Sequence, residues 1–171
     1  MSKLKNRDFI KKWKLTRLTL NAKFLNLEFL PSEKDKDTAW ALYVELQTRV
    51  TTQCLPHDAG DEKTALDSVY SIFKTTREIL IKNGRESKFC TPVALAMLNS
   101  VIRAFTAKWH KASGEGAFDC PDKRKEFRDE LAELQIELTK FSALFAAIAY
   151  GEASEVDVTE FLNEFEAYEE P

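Results

Sequence analysis

The sequence predicts an all-α protein: an up-and-down bundle of four long helices plus a short C-terminal helix. Only five glycines and five prolines punctuate 171 residues, which implies long uninterrupted elements rather than the many tight turns of a β protein. Apolar residues recur at three- and four-residue intervals along most of the chain, the period of a helix with one buried side. A hydrophobic fraction of 44% exceeds what disordered chains carry, and the length suits one buried core rather than two. A single domain over 1–171 follows, with an irregular basic arm at 1–30, the bundle at 32–150 and an acidic helix at 156–169.

The first thirty residues are the least regular. Lys3, Lys5, Arg7, Lys11, Lys12, Lys14, Arg17 and Lys23 make them basic. Leu18, Leu20, Ala22 and Phe24, then Leu25, Leu27 and Phe29, alternate with a period of two. That pattern favours an extended segment packed on the helical body, although the same leucines fit a short helix. Lys11, Lys12, Trp13 and Lys14 set an indole among three cations. Nucleic acid or a partner groove can use such a mixture, and a flexible arm can carry it too.

Ser32 caps the first helix, with Asp35 three residues on as a shorter version of the capping-box acid. Ala39, Leu42, Tyr43, Leu46 and Val50 form its periodic side, and it ends before Pro56. The acidic turn from His57 to Glu62 suits the start of a second helix, whose apolar side reads Leu66, Val69, Tyr70, Phe73, Arg77 and Leu80. Asn83-Gly84 stops it, since glycine accepts a left-handed backbone.

The third helix begins between Lys88 and Pro92 and is the most apolar long stretch. Ala94, Met97, Leu98, Val101, Ile102, Phe105 and Trp109 make a wide apolar arc, while Asn99, Arg103, Thr106 and His110 fall in a polar stripe. It stops at Ser113-Gly114-Glu115-Gly116. The fourth helix opens at Cys120-Pro121-Asp122 and is the cleanest. Phe127, Leu131, Leu134, Leu138, Phe141, Phe145 and Ile148 alternate steps of four and three, a seam for antiparallel packing. Gly151 ends it. Val158, Phe161, Leu162 and Phe165 then mark one side of an acidic final helix, with Phe161 and Phe165 as candidate interface anchors.

Arg103-Ala-Phe-Thr-Ala-Lys-Trp-His110, an arginine and a histidine six residues apart in a helical bundle, resembles the HEPN group of small helical domains, many of them ribonucleases. The resemblance implies that Arg103 binds the scissile phosphate and steadies its transition-state charge. It also implies that His110 moves protons to or from the 2′-hydroxyl or leaving oxygen, and that two copies pair their motifs. Asn99 and Thr106 would then orient the phosphate. The chain departs from the commoner pattern at Ala104, where a polar residue usually follows the arginine, and in placing the motif well before the chain's end. A plain polar stripe facing water is the alternative account of the same residues.

Strings such as Asp37-Thr-Ala-Trp-Ala-Leu-Tyr-Val-Glu-Leu46, Gly60-Asp-Glu-Lys-Thr-Ala-Leu66 and Phe105-Thr-Ala-Lys-Trp-His110 also look similar to a group of bacterial proteins of unassigned function. That likeness implies a bacterial setting and no activity. By association it suggests one component of a multi-protein system, such as defence against phage.

No metal or other cofactor is expected. Cys54-Leu-Pro-His57 has a ligand-like spacing but no second pair, and Glu126, Glu130 and Glu133 share a helix side without the Glu-x-x-His of carboxylate bundles. Arg49, Arg77 and Arg103 would make a polar network or an anion pocket if they met an acid such as Glu45, Asp67 or Glu78. Three cysteines, an odd number with no leader ahead of them, suit reduced thiols in a cytoplasm. No apolar run approaches the roughly 20 residues that cross a bilayer, so no membrane is expected. The preferred reading is a partner-binding helical subunit that presents the arm, the tail or the Asn99–His110 stripe to another protein or a second copy. A ribonuclease acting on RNA is the alternative.

Overall fold

The computed structural model describes residues 31–52, 55 and 60–150, and among them it is all-α, without a strand. The basic arm, with Lys11, Lys12, Trp13, Lys14 and the expected extended segment, lies outside the described residues, as does the expected C-terminal helix with Phe161 and Phe165. Four helices make the body: α1 (Glu33–Gln47), α2 (Glu62–Asn83), α3 (Cys90–Gly114) and α4 (Pro121–Tyr150). Short 3-10 turns at Gly84–Glu86 and Ala117–Asp119 join α2 to α3 and α3 to α4.

Contacts between chain-distant residues fix the topology. Ser32 Oγ donates to the Glu86 carbonyl (3.2 Å) while Arg49 Nη2 donates to Thr75 Oγ1 (3.4 Å), so α1 and α2 run antiparallel. Trp40 meets Tyr150 with ring centroids 5.9 Å apart, and Gln47 Nε2 donates to Ser142 Oγ (2.8 Å), so α4 runs antiparallel to α1. Tyr70 against His110, and Phe105 against Phe127, pair α3 with its neighbours in the same sense. The result is the expected up-down-up-down bundle.

The core forms where the helix periods predict it in α3 and α4. Ala94, Met97, Leu98, Val101, Ile102, Phe105 and Trp109 are all buried, as are all seven residues of the α4 seam. Within α3, Val93, Met97, Val101, Phe105 and Trp109 repeat in steps of four. At 100° per residue each step overshoots a full turn by about 40°, so the stripe would wind away from the core. The wider π turn at Met97–Ile102 absorbs that overshoot and keeps both halves of the helix facing inward.

On α2 the buried side is Ala65, Leu66, Val69, Ile72 and Thr76; Leu66 and Val69 of the expected line are in it and Phe73 and Leu80 pack against the core, whereas Tyr70 and Arg77 are exposed. The bundle takes the narrower residues inward and leaves Tyr70 54% exposed. A second correction concerns α3. Its 25 residues are long and apolar enough to cross a membrane on length and composition alone, although its apolar side is packed inside the bundle.

The two parallel helices α1 and α3 start from one carboxylate. Asp35 completes the capping box, accepting from Ser32 N (3.1 Å) while Ser32 Oγ accepts from Asp35 N (3.1 Å). Its other oxygen accepts from Phe89 N (2.8 Å), Cys90 N (3.0 Å) and Ser87 Oγ (3.3 Å). α3 has no side-chain cap of its own, so Asp35 supplies both the acceptor for its free N–H groups and the negative charge that its dipole favours. Cys90 is closed in at the same place, where its thiol donates to the Asp35 carbonyl (3.2 Å). Burial, and secondarily the Asp35 charge, pushes that thiol well above its ordinary range. Replacing Asp35 by Ala leaves several buried donors unmatched and is expected to lower unfolding free energy by about 3 kcal/mol in urea denaturation. A loss below about 1 kcal/mol would show that the cap is dispensable.

Candidate functional site

The polar stripe of α3 lies beside α2 and is divided between reachable and closed groups. Arg103 is exposed. Its Nη2 and Nε both donate to Asn99 Oδ1 (2.9 and 3.2 Å), one turn back, and its guanidinium lies 5.2 Å from the centroid of the Phe73 ring on α2. These contacts hold a cation with a flat, aromatic backing at the surface. Thr106 is buried, and its hydroxyl donates to the Ile102 carbonyl (2.9 Å), so it offers nothing to a ligand as it stands. His110 is half-buried under Tyr70, whose ring meets the imidazole edge-on at 4.8 Å. Its Nε2 is shut off from solvent and has no hydrogen-bond partner among the described residues.

Arg103 and His110 therefore share the α2 side of α3, two turns and about 10 Å apart along its axis. On α2 the stripe Tyr70, Lys74, Arg77 and Ile81 runs alongside them, and Leu95 lies one turn before Asn99. Tyr70, Ile81 and Leu95 are 54%, 73% and 41% exposed. The face thus has apolar groups at both ends and two exposed arginines, Arg77 and Arg103, between them. Sequence periodicity had assigned Tyr70 to the core, and the signal for the actual arrangement was its seven-residue spacing from Arg77 on a helix whose other side was already filled.

The three arginines considered for a single anion pocket do not meet. Arg49 pairs with Glu45 (2.5 Å) and donates to Ser71 and Thr75, whereas Arg103 lies against Phe73 on another side of α2. The described residues hold no cluster of metal-ligand type. Cys54 and His57 lie outside the described residues, and Cys90 and Cys120 sit at opposite ends of the bundle.

A second polar cluster, not anticipated from the sequence, ties α3 to α4. Lys108 Nζ lies 2.8 Å from Glu126 Oε1 and 2.5 Å from Glu130 Oε1. The Trp109 indole N–H donates to the other Glu130 oxygen (3.0 Å), and Lys123 also reaches Glu126 (2.7 Å). Glu126 and Glu130 are one turn apart, and the lysine bridges the two carboxylates. Comparison with protein-family models, with curated proteins and with solved structures finds no match to this chain.

Hydrogen bonds from Lys108 first, then from Lys123, pull the Glu126 carboxyl from an ordinary value of 4.5 down to about 2. A carboxyl depressed in the folded state adds stability above its unfolded pKa and loses that addition as pH falls through the folded one. The stability gap between wild type and Glu126→Gln is expected to be full at about pH 6 and to close as pH falls from about 4.5 toward 2. Urea denaturation at a series of pH values measures it, and a gap independent of pH would contradict the assignment.

Proposed function

We propose that this protein is a binding module, a helical subunit that docks another protein of a multi-protein bacterial system on its α2–α3 face. The observation carrying this reading is the make-up of that face. Tyr70, Ile81 and Leu95 are exposed around Arg77 and Arg103, which are exposed too. Tyrosine and arginine dominate binding energy at protein interfaces, and a helix side meant only for water has little use for an isoleucine as exposed as Ile81. Two cations with apolar flanks suit an acidic protein surface. The cytoplasmic and phage-defence setting belongs to the same proposal, the first resting on the odd number of cysteines and the second on the likeness of the strings quoted above. Reversing both charges with Arg77→Glu and Arg103→Glu in the full chain is expected to abolish retention of the protein that co-purifies with the wild type, with the thermal midpoint unchanged. A wild type that co-purifies with nothing, or a double variant that keeps its partner, defeats the reading.

The second reading is a HEPN-like ribonuclease working without a metal. What favours it is that Arg103 and His110 face the same way and that His110 Nε2 has no partner among the described residues. Catalysis would require Tyr70 to move aside, because that nitrogen is closed off in the present arrangement. Arg103→Ala and His110→Ala would each abolish RNA cleavage while leaving the fold intact. Absence of cleavage by the wild type across structured and single-stranded RNAs counts against it.

A further inference from the structure

The junction of α2 and α3 orders its exposed groups along the bundle axis. Tyr70 meets His110 with ring centroids 4.8 Å apart, and three residues further along α2 the Phe73 ring lies 5.2 Å from the Arg103 guanidinium. Because the helices run antiparallel, continuing from those two contacts puts Arg77 opposite the turn 99–103 of α3 and Ile81 opposite the turn 95–99, which begins with Leu95. Measured from Tyr70 along α2, the Arg103 guanidinium lies about 5 Å on, Arg77 about 10 Å and Ile81 about 16 Å. The junction therefore reads apolar, cation, cation, apolar.

Both cations lack a carboxylate. Arg103 donates only to the neutral Asn99 amide oxygen among the described residues, and Arg77 has no hydrogen bond or ion pair among them. Glu78, the acid next to Arg77, pairs instead with Lys74 (3.9 Å). Asn99 engages Nε and Nη2 of Arg103, which leaves Nη1 for an incoming acid while the Phe73 ring backs the guanidinium.

A junction between two antiparallel helices accepts a third helix laid along it, read by side chains three, four and seven residues apart. On such a helix the residues three, seven and eleven after a first one fall within about 80° of arc, with rises of about 4.5, 10 and 16 Å. Those rises match the order of groups along the junction. A phosphate backbone would meet the two cations but has no apolar group for Ile81 and Leu95, which are 73% and 41% exposed.

We propose that the partner presents an acidic amphipathic helix with the pattern apolar-x-x-acid-x-x-x-acid-x-x-x-apolar. Its apolar residues seat against Tyr70 at one end and Ile81 with Leu95 at the other, and its two carboxylates reach Arg103 and Arg77 in turn. The inference rests on the docking reading above and adds the chemistry and spacing by which the partner is recognised.

The test titrates the full chain into a fluorescein-labelled synthetic peptide that carries Leu-x-x-Glu-x-x-x-Glu-x-x-x-Leu in an alanine- and glutamine-rich helical background, read by fluorescence anisotropy. Binding is expected to be about tenfold or more tighter than that of a scrambled peptide of the same composition, and to weaken by about tenfold or more in Arg77→Glu/Arg103→Glu. Ile81→Asp, at an exposed side chain outside the core, should weaken it by a similar factor with the thermal midpoint unchanged. Equal binding of the patterned and scrambled peptides, or undiminished binding to either variant, overturns the proposal. So does a single-stranded oligonucleotide that binds more tightly than the peptide and loses affinity in the same variants, which would assign the junction to nucleic acid. If a co-purified native partner is held through Arg77 and Arg103 but the patterned peptide does not displace it, the docking reading stands and the helical pattern alone falls. If nothing co-purifies and the peptide does not bind, both fall.

Discussion

The Asp35 carboxylate is the constraint on which the rest of this bundle depends. One buried side chain closes the first turn of α1 and also receives the free N–H groups at the start of α3, fifty-odd residues later. Because α1 and α3 run in parallel on diagonal corners of the bundle, fixing their starts at one level sets the vertical register of the layers between them. With that register set, Phe105 meets Phe127, Trp109 meets Phe118 and Phe127, and Trp40 meets Tyr150. A slip of one turn at Asp35 would misalign each of those ring contacts.

At the far end the register is held by charge. Arg128 of α4 pairs with Glu62 at the start of α2 (2.7 Å), and Lys108 of α3 bridges Glu126 and Glu130 of α4. These groups are largely taken out of water, where an ion pair must be well matched to avoid a net penalty. Lys108 meets that condition by making two carboxylate contacts and lying 4.5 Å from the Trp109 ring centroid. The bundle is pinned at both ends and packed with aliphatic and aromatic groups between.

With the ends and core committed in this way, what remains for function is the outer surface. The α2–α3 face and the outer side of α1 and α4 differ in character. The first combines arginines with exposed apolar side chains, while the second exposes Trp40, Val44, Ile136 and Tyr150. His110 belongs to the first face but is held under Tyr70, so the polar stripe presents Arg103 and Asn99 rather than the full set of four side chains.

The fold class, the four helices, the capping of α1 by Ser32 and the seam of α4 were legible in the sequence, because each depends on short-range spacing or on local hydrogen bonding. The apolar arc of α3 was legible for the same reason. The π turn that keeps it aligned was not, since its cause is the demand of the surrounding core. Periodicity also misplaced Tyr70, because α2 carries apolar residues on more than half its circumference and only the neighbouring helices decide which of them turn inward. Likewise the shared role of Asp35 and the bridging of Glu126 and Glu130 by Lys108 join residues far apart in the chain. Local pattern determines which segments are helices and which sides are apolar; the meeting of distant side chains, and so the make-up of every candidate surface, is decided only when the helices pack.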